Sequence, residues 1–255
     1  MIVVDDGSTD NSTAFLAGLP DVHVVRSNGQ GVARSRNLGA AQASGDIVLF
    51  ADAHVRAPEN WHAAISEALR DEAVGSVSPG VSDMSQPQAR GFGQTLSGAD
   101  LKATWLRKSG NTPYAAPILP GCFLALRRET FRQCGGYDAG MRQLGGNDVE
   151  LSLRLWSMGY EQLVIPQIEV AHLFRRAAPY PALWRSLLHN RIRTAMIHFH
   201  QERLARVVAA LRIYENFPAA LALTVDSDVH ERRVWMSRNR RFSDDSFFER
   251  FTLAC

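Results

Sequence analysis

The chain has 255 residues, 45% of them hydrophobic and 21% charged, with a formal net charge of +2. That length and apolar content suit one large α/β domain, or a domain with a small appendage. The nearly balanced charge argues against a polyelectrolyte partner, so no nucleic acid is expected, and the local basic run at Arg232-Arg233 and Arg238 to Arg241 reads as a solvated face.

Ile2-Val3-Val4 predicts a strand that runs straight into Asp5-Asp6-Gly7-Ser8-Thr9-Asp10, residues that favour turns and helix caps. A helix is expected over Ser12 to Gly18, a strand over Val22 to Val25, and a turn at Asn28-Gly29-Gln30-Gly31. Another helix is expected from Val32 to Ala43, ended by Gly45. The apolar run Ile47-Val48-Leu49-Phe50-Ala51 predicts a buried strand, and Asp52-Ala53-His54 closes it. Alternation puts Asp52 and His54 on one face and turns Ala53 away. A carboxylate and an imidazole side by side can grip one divalent cation, and such an ion can hold the phosphates of a nucleotide.

Trp61, Ile65 and Leu69 recur at intervals of four and predict an amphipathic helix over Pro58 to Leu69. Val74 to Val81 reads as a strand. Ser82 to Pro120 is rich in Gly, Ser, Gln and Pro and reads as loops over a binding face. A strand over Phe123 to Leu126, a short helix over Glu129 to Cys134 and a helix over Asp148 to Met158 follow. Leu163 to Ile165 and Glu169 to His172 read as two further strands, and Leu183 to Ile213 as helical. Strands alternating with helices predict an α/β fold with a mainly parallel sheet covered on both faces. Ligands of such sheets gather at the carboxyl ends of the strands, where Asp5-Asp6, Asp52-His54 and His172 all fall. Cys122, Cys134 and Cys255 form neither a disulfide framework nor a zinc spacing and read as reduced thiols of a cytoplasmic protein. Neither a signal peptide nor a transmembrane segment is expected, since Phe217 to Val225 is too short to span a bilayer.

Several stretches together resemble the family 2 glycosyltransferases, whose fold is called GT-A. They are Val3 to Asp10, Gly31-Val-Ala-Arg-Ser-Arg-Asn-Leu-Gly39, Phe50-Ala-Asp-Ala-His54 and Gly121-Cys-Phe-Leu-Ala-Leu-Arg-Arg-Glu-Thr-Phe131. Gly135-Gly-Tyr-Asp138 and Asn147-Asp-Val-Glu-Leu-Ser-Leu-Arg154 complete the likeness, which covers roughly residues 2 to 200. Within that family, the Asp-x-His of Asp52 to His54, the segment Val170-Ala-His-Leu-Phe-Arg175 and the stretch Asn190-Arg191-Ile-Arg193-Thr-Ala resemble the polypeptide N-acetylgalactosaminyltransferases. The resemblance implies a metal-dependent hexosyltransferase that moves a sugar from a UDP-sugar to an acceptor hydroxyl. It makes Asp52, His54 and His172 the ligands of Mn²⁺, with Mg²⁺ or Zn²⁺ as lesser alternatives. It places Asp5 or Asp6 against the uridine, Asp6 at the base, and Arg34 and Arg36 near the nucleotide. Gly121 would let the donor sugar approach the backbone.

Asn147-Asp148 bears on the mechanism. Many inverting family members carry Glu-Asp here with the aspartate as general base, whereas the retaining galactosaminyltransferases carry Glu-Asn. Asn-Asp matches neither fully. A carboxylate beside the reaction centre is an available base, so inversion with Asp148 as catalytic base is expected, and Glu150 is a lesser candidate for orienting acceptor or sugar. The alternatives are a retaining UDP-GalNAc transferase acting on Ser or Thr of a peptide, and a non-catalytic nucleotide-sugar-binding protein. Trp105, Tyr114 and Trp184 are candidate flat faces for a sugar or peptide. The family normally opens with a strand and helix ahead of the Asp-Asp loop. These are expected to be missing here, leaving an exposed strand edge. The expected organisation is a GT-A domain over residues 1–205 and a helical appendage over 206–255. The sugar, the acceptor (peptide, lipid carrier or small molecule) and the oligomeric state stay open.

Overall fold

The structure, a computed structural model, describes residues 1–175 and 183–254, so Cys255 lies outside the described residues. In chain order the strands are β1 (Ile2–Asp5), β2 (His23–Arg26), β3 (Ile47–Ala51), β4 (Val55–Arg56), β5 (Val74–Asp83), β6 (Arg90–Gly91), β7 (Gln94–Leu96), β8 (Ala103–Trp105), β9 (Tyr114–Ala115), β10 (Phe123–Arg127) and β11 (Glu161–His172). The helices are α1 (Val32–Ala41), α2 (Trp61–Ala68), α3 (Arg128–Gln133), α4 (Asn147–Met158), α5 (Trp184–His198), α6 (Gln201–Leu211), α7 (Phe217–Val225), α8 (Val229–Asn239) and α9 (Asp244–Arg250). The helix expected over Ser12 to Gly18 is only a 3₁₀ turn at Ala14–Leu16. Left-handed backbone at Asn11 (φ 57°) and Gly18 (φ 83°) cuts it off at both ends.

The main sheet has the order β3-β10-β5-β11-β4. β5 and β11 run parallel, but β10 is antiparallel to both β3 and β5, and β4 is antiparallel to β11. The sheet is therefore mixed, not mainly parallel. Strand direction leaves no trace in hydrophobic periodicity, and the long segment before β10 lets the chain re-enter the sheet from the opposite end. β1 and β2 form a separate parallel pair. The two strands expected over Leu163–Ile165 and Glu169–His172 are halves of one strand, β11, whose register against β5 slips between Ile165 and Glu169. Pro166, which has no N–H to donate, sits in that irregularity.

Alternation along β10 builds the core on both faces of the sheet. Phe123 and Ala125 join Val77, Val81, Ile165 and Val170 under Ile65 and Leu69. Leu124 and Leu126 join Val48, Phe50 and Val164 under Leu151 and Leu155 of α4. The other side of α4 is also apolar: Val149, Leu153 and Trp156 pack against residues of α5, α6, α7 and α9. The C-terminal helices thus share a core with α4, and the division expected at residue 205 falls inside α6. Among the described residues no helix is long and apolar enough to cross a membrane.

Candidate active site

Strand pairing assembles the first cluster. β4 follows β3 after a short turn and pairs antiparallel with the end of β11, Val55 opposite His172 and Arg56 opposite Ala171. The Leu173 N–H donates to the His54 carbonyl (3.0 Å), which seals this corner. The rings of His54 and His172 stand with centroids 4.6 Å apart. Nε2 of His172 lies 3.2 Å from Oδ2 of Asp52, a residue 120 positions away. Ligand atoms of Asp52, His54 and His172 all fall within 4.8 Å of one another.

The charge states favour a cation here. Burial and the neighbouring His172 push the His54 imidazole down, towards its neutral ligating form. Burial opposes the charge on Asp52, but the His172 hydrogen bond and the Arg36 charge prevail and hold its carboxyl below the usual range. His172 is 8% exposed, and its Nδ1 is buried with no hydrogen-bond partner. A set of one carboxylate and two imidazoles suits Mn²⁺, and the same set also suits Zn²⁺.

Arg36 links this cluster to a second one. From α1 its Nη2 donates to Asp52 Oδ1 (3.1 Å) and to the Gly121 carbonyl (2.8 Å), and its Nη1 donates to the Tyr137 hydroxyl (3.2 Å). Nη1 is also 3.7 Å from Asp148 Oδ1. Asp148 lies close against Gly121; burial pushes its carboxyl up, while the Arg36 charge and the nearby Gly121 backbone oppose that shift. A β-carbon at Gly121 would stand 2.3 Å from Asp148 Oδ1 and 2.6 Å from Arg36 Nη1, so glycine is what lets these two side chains close on the backbone here. The neighbouring Cys122 thiol is pushed up to about 12 by burial and is neutral.

The other candidates fall in different surroundings. Asp6 Oδ1 accepts from Ser27 Oγ (2.6 Å) and the Gln30 N–H (2.9 Å), and Oδ2 from the Gly31 N–H (2.8 Å). Burial resists ionisation of Asp6, but these bonds hold the carboxyl low. Asp5 accepts from the Ser8 N–H (2.8 Å) and the Thr13 hydroxyl (3.0 Å). Both aspartates therefore have a structural duty in their loops. Arg34 donates to the Ala139 carbonyl (2.8 Å), tying α1 to the loop before α4. Asn147 is only 4% exposed, which leaves little surface for a substrate. Glu150 does not face a substrate at all. It is fully buried, receives Arg154 Nε (2.9 Å) and Nη2 (2.5 Å), and lies 3.0 Å from His198 Nε2. Positions two apart on an α-helix point about 200° apart around its axis, so Asp148 keeps a partly exposed side chain while Glu150 turns into the core.

Two residues that sequence reasoning passed over belong to the site. Tyr137, 1% exposed, carries Arg36 on its hydroxyl and under its ring, the guanidinium carbon 5.2 Å from the centroid. Phe174 packs on His172 (4.4 Å) and on Trp105 (6.0 Å), and both aromatic rings are partly exposed. Of the three aromatic faces named from the sequence, Trp105 joins the histidines in this way. Tyr114 bonds Ser109 N–H through its hydroxyl (3.3 Å), and Trp184 stacks on Tyr214 (6.2 Å). Both stand within stretches quoted for the resemblance, Gly135 to Asp138 and Val170 to Arg175, but the likeness alone assigns neither a role.

Residues 1–135 match the family described as Glycosyl transferase family 2, and residues 107–176 match one described as N-terminal domain of galactosyltransferase. The chain is similar to "Polypeptide N-acetylgalactosaminyltransferase 11" of Xenopus tropicalis, 29% identical over 77% of this chain and 37% of that protein. It is also similar to "Polypeptide N-acetylgalactosaminyltransferase 10" of Mus musculus, 28% identical over 88% of this chain and 39% of that protein. "Probable N-acetylgalactosaminyltransferase 9" of Caenorhabditis elegans is 31% identical over 71% of this chain and 35% of its own length. The chain thus spans less than half the length of these relatives. A solved structure titled "Crystal structure of GalNAc-T7 with UDP, GalNAc and Mn2+" superposes with a TM-score of 0.77 at 21% identity, over 98% of this chain and 50% of that one. That likeness shows the GT-A fold.

Proposed function

This chain belongs to glycosyl transferase family 2, and on that footing we propose that it is a metal-dependent glycosyltransferase moving a sugar from a UDP-sugar to an acceptor hydroxyl. The observation that carries the reading is the meeting of Asp52, His54 and His172 beside Asp148, with Arg36 bonded to one group and facing the other. Asp52, His54 and His172 would hold Mn²⁺, which would supply positive charge against the departing diphosphate. Arg36 keeps Asp52 ionised and in place. Asp148 takes the proton from the acceptor hydroxyl as that oxygen bonds to the anomeric carbon and the sugar–phosphate bond breaks, an in-line displacement that inverts configuration. Trp105 and Phe174 offer flat apolar faces beside His172 for the acceptor.

A second reading is retaining transfer of N-acetylgalactosamine to Ser or Thr of a peptide. The names of the relatives and the Asp-x-His sequence favour it. In that reading Asp148 binds the donor sugar and abstracts no proton. The test is Mn²⁺-dependent release of UDP from a panel of UDP-sugars, UDP-N-acetylgalactosamine first, with the anomeric configuration of the product read by NMR. An inverted product supports Asp148 as base, and a retained product supports the second reading. Binding of UDP and Mn²⁺ with no turnover of any donor would leave a nucleotide-sugar-binding protein.

A further inference from the structure

The loop that delivers Asp148 holds itself only at its start, where the Met141 N–H donates to the Asp138 carbonyl (3.0 Å) and the Gly140 N–H to Asp138 Oδ1 (3.1 Å). Between Asp138 and α4 the backbone is left-handed at Gln143 (φ 49°), Gly145 (φ 94°) and Gly146 (φ 78°), so its polar groups cannot pair in a regular ladder. Helix α5 supplies the partners. The Asn190 side chain, 0% exposed, accepts the Arg142 N–H on Oδ1 (2.8 Å) and donates from Nδ2 to the carbonyls of Arg142 (2.9 Å) and Gly145 (2.8 Å). Both of its N–H donors are thereby used. One turn on, Arg193 grips both oxygens of Asp138 (2.7 and 2.8 Å), and His189 Nε2 meets the Gly140 carbonyl (3.0 Å). On the opposite side the Gln143 carbonyl accepts the Val32 N–H of α1 (2.9 Å).

The loop is therefore fixed between α5 and the start of α1, and it ends at α4. The first α4 bond runs from the Glu150 N–H to the Gly146 carbonyl (3.0 Å), the residue after the one Asn190 holds. The placement of Gly145 thus sets where α4 begins, and with it how the Asp148 carboxylate packs against Gly121. We propose that Asn190 is a positioning residue for Asp148: through the backbone of residues 142–145 it holds the Asp148 carboxylate against Gly121, without touching substrate. Its catalytic consequence rests on the base role proposed above; its geometric content does not.

Two variants test it, Asn190→Ala and Asn190→Asp. The second keeps the shape but turns an acceptor oxygen towards two carbonyls. Residue-resolved amide hydrogen exchange on the full chain reads the geometry. The Gly121 N–H is expected to exchange about tenfold faster or more in both variants, with Phe123 to Leu126 of β10 unchanged. With the UDP-sugar and Mn²⁺, kcat is expected to fall about 30-fold while KM for the donor stays within about twofold. Unchanged Gly121 protection overturns the proposal. So does faster exchange throughout β10, or loss of UDP binding in both variants, because either assigns Asn190 to global stability. Full activity of Asp148→Asn instead removes the base role and leaves the Gly121 exchange result to judge the positioning claim by itself.

Discussion

The Asp148 carboxylate fills the space that a β-carbon at Gly121 would need, with Oδ1 only 2.3 Å from that position. Gly121→Ala must therefore displace Asp148, and Arg36 with it. The carboxylate can swing aside, so the stability cost is on the order of 1 kcal/mol. Transfer is expected to fall about 100-fold, as a misplaced base requires, with Mn²⁺-supported UDP affinity weakened far less, through the shift of Arg36 beside Asp52. Kinetics and UDP calorimetry on the variant check this; near-native turnover would show that the Gly121–Asp148 contact has no part in the reaction.

Asp148→Asn keeps the shape and removes the base. Transfer is expected to drop by about 10²- to 10⁴-fold while UDP and Mn²⁺ affinities hold. The wild-type pH profile provides an independent view. Burial raises the Asp148 carboxyl above its ordinary 3.8, and a base works only when deprotonated. The rate should therefore fall with decreasing pH through an inflection above the usual Asp range. Arg36 opposes that upward shift, so Arg36→Gln should move the inflection to still higher pH.

His172→Ala removes one of three clustered ligands and the hydrogen bond to Asp52. Mn²⁺-supported UDP binding is expected to weaken at least about tenfold, by analogy with the cost of losing even outer-sphere support. His54→Ala should behave alike. Titration calorimetry with and without Mn²⁺ decides it, and metal dependence identical to wild type would exclude ligation.

The buried Glu150–Arg154–His198 group governs stability, not turnover. Glu150→Gln leaves Arg154 buried without its counter-charge and should cost about 3–5 kcal/mol, seen as a lower denaturant midpoint. The pH dependence has a definite sign. Burial opposes the charge on Glu150, but Arg154 and His198 prevail and hold its carboxyl far below 4.5. Its contribution is complete above about 4.5 and is lost as pH falls towards the folded-state value. Burial likewise holds His198 below 6.5, so a further loss begins as pH drops under that point. The wild-type midpoint should fall between pH 7 and pH 4, and Glu150→Gln should flatten the part below 4.5.

Residues close in the chain were legible in the sequence because local geometry governs them. The run from Ile47 to Ala51 with Asp52 and His54 behind it is one such case, since strand alternation alone puts both side chains on one face. The α4 pattern from Asn147 to Met158 is another, although its apolar positions serve two cores. Sheet direction was not legible, since an apolar run such as Phe123 to Leu126 reads the same in either orientation.

By itself, then, the sequence determined the main strands and helices with strong apolar patterns, though not the short strands β6 to β9 within the stretch read as loops, and which chemical groups their ends carry: a carboxylate and imidazole after β3, an imidazole at the end of β11, and a carboxylate at the start of α4. Tertiary structure alone decided what those groups touch. Arg36 rests on Tyr137 across 101 positions, His172 meets Asp52 across 120, Asn190 grips Arg142 across 48, and Glu150 turns away into the core. The physical reason is that such contacts depend on how whole elements pack. Packing direction, strand order and the space a glycine leaves open impose no periodicity on the chain that a reader of residues could detect.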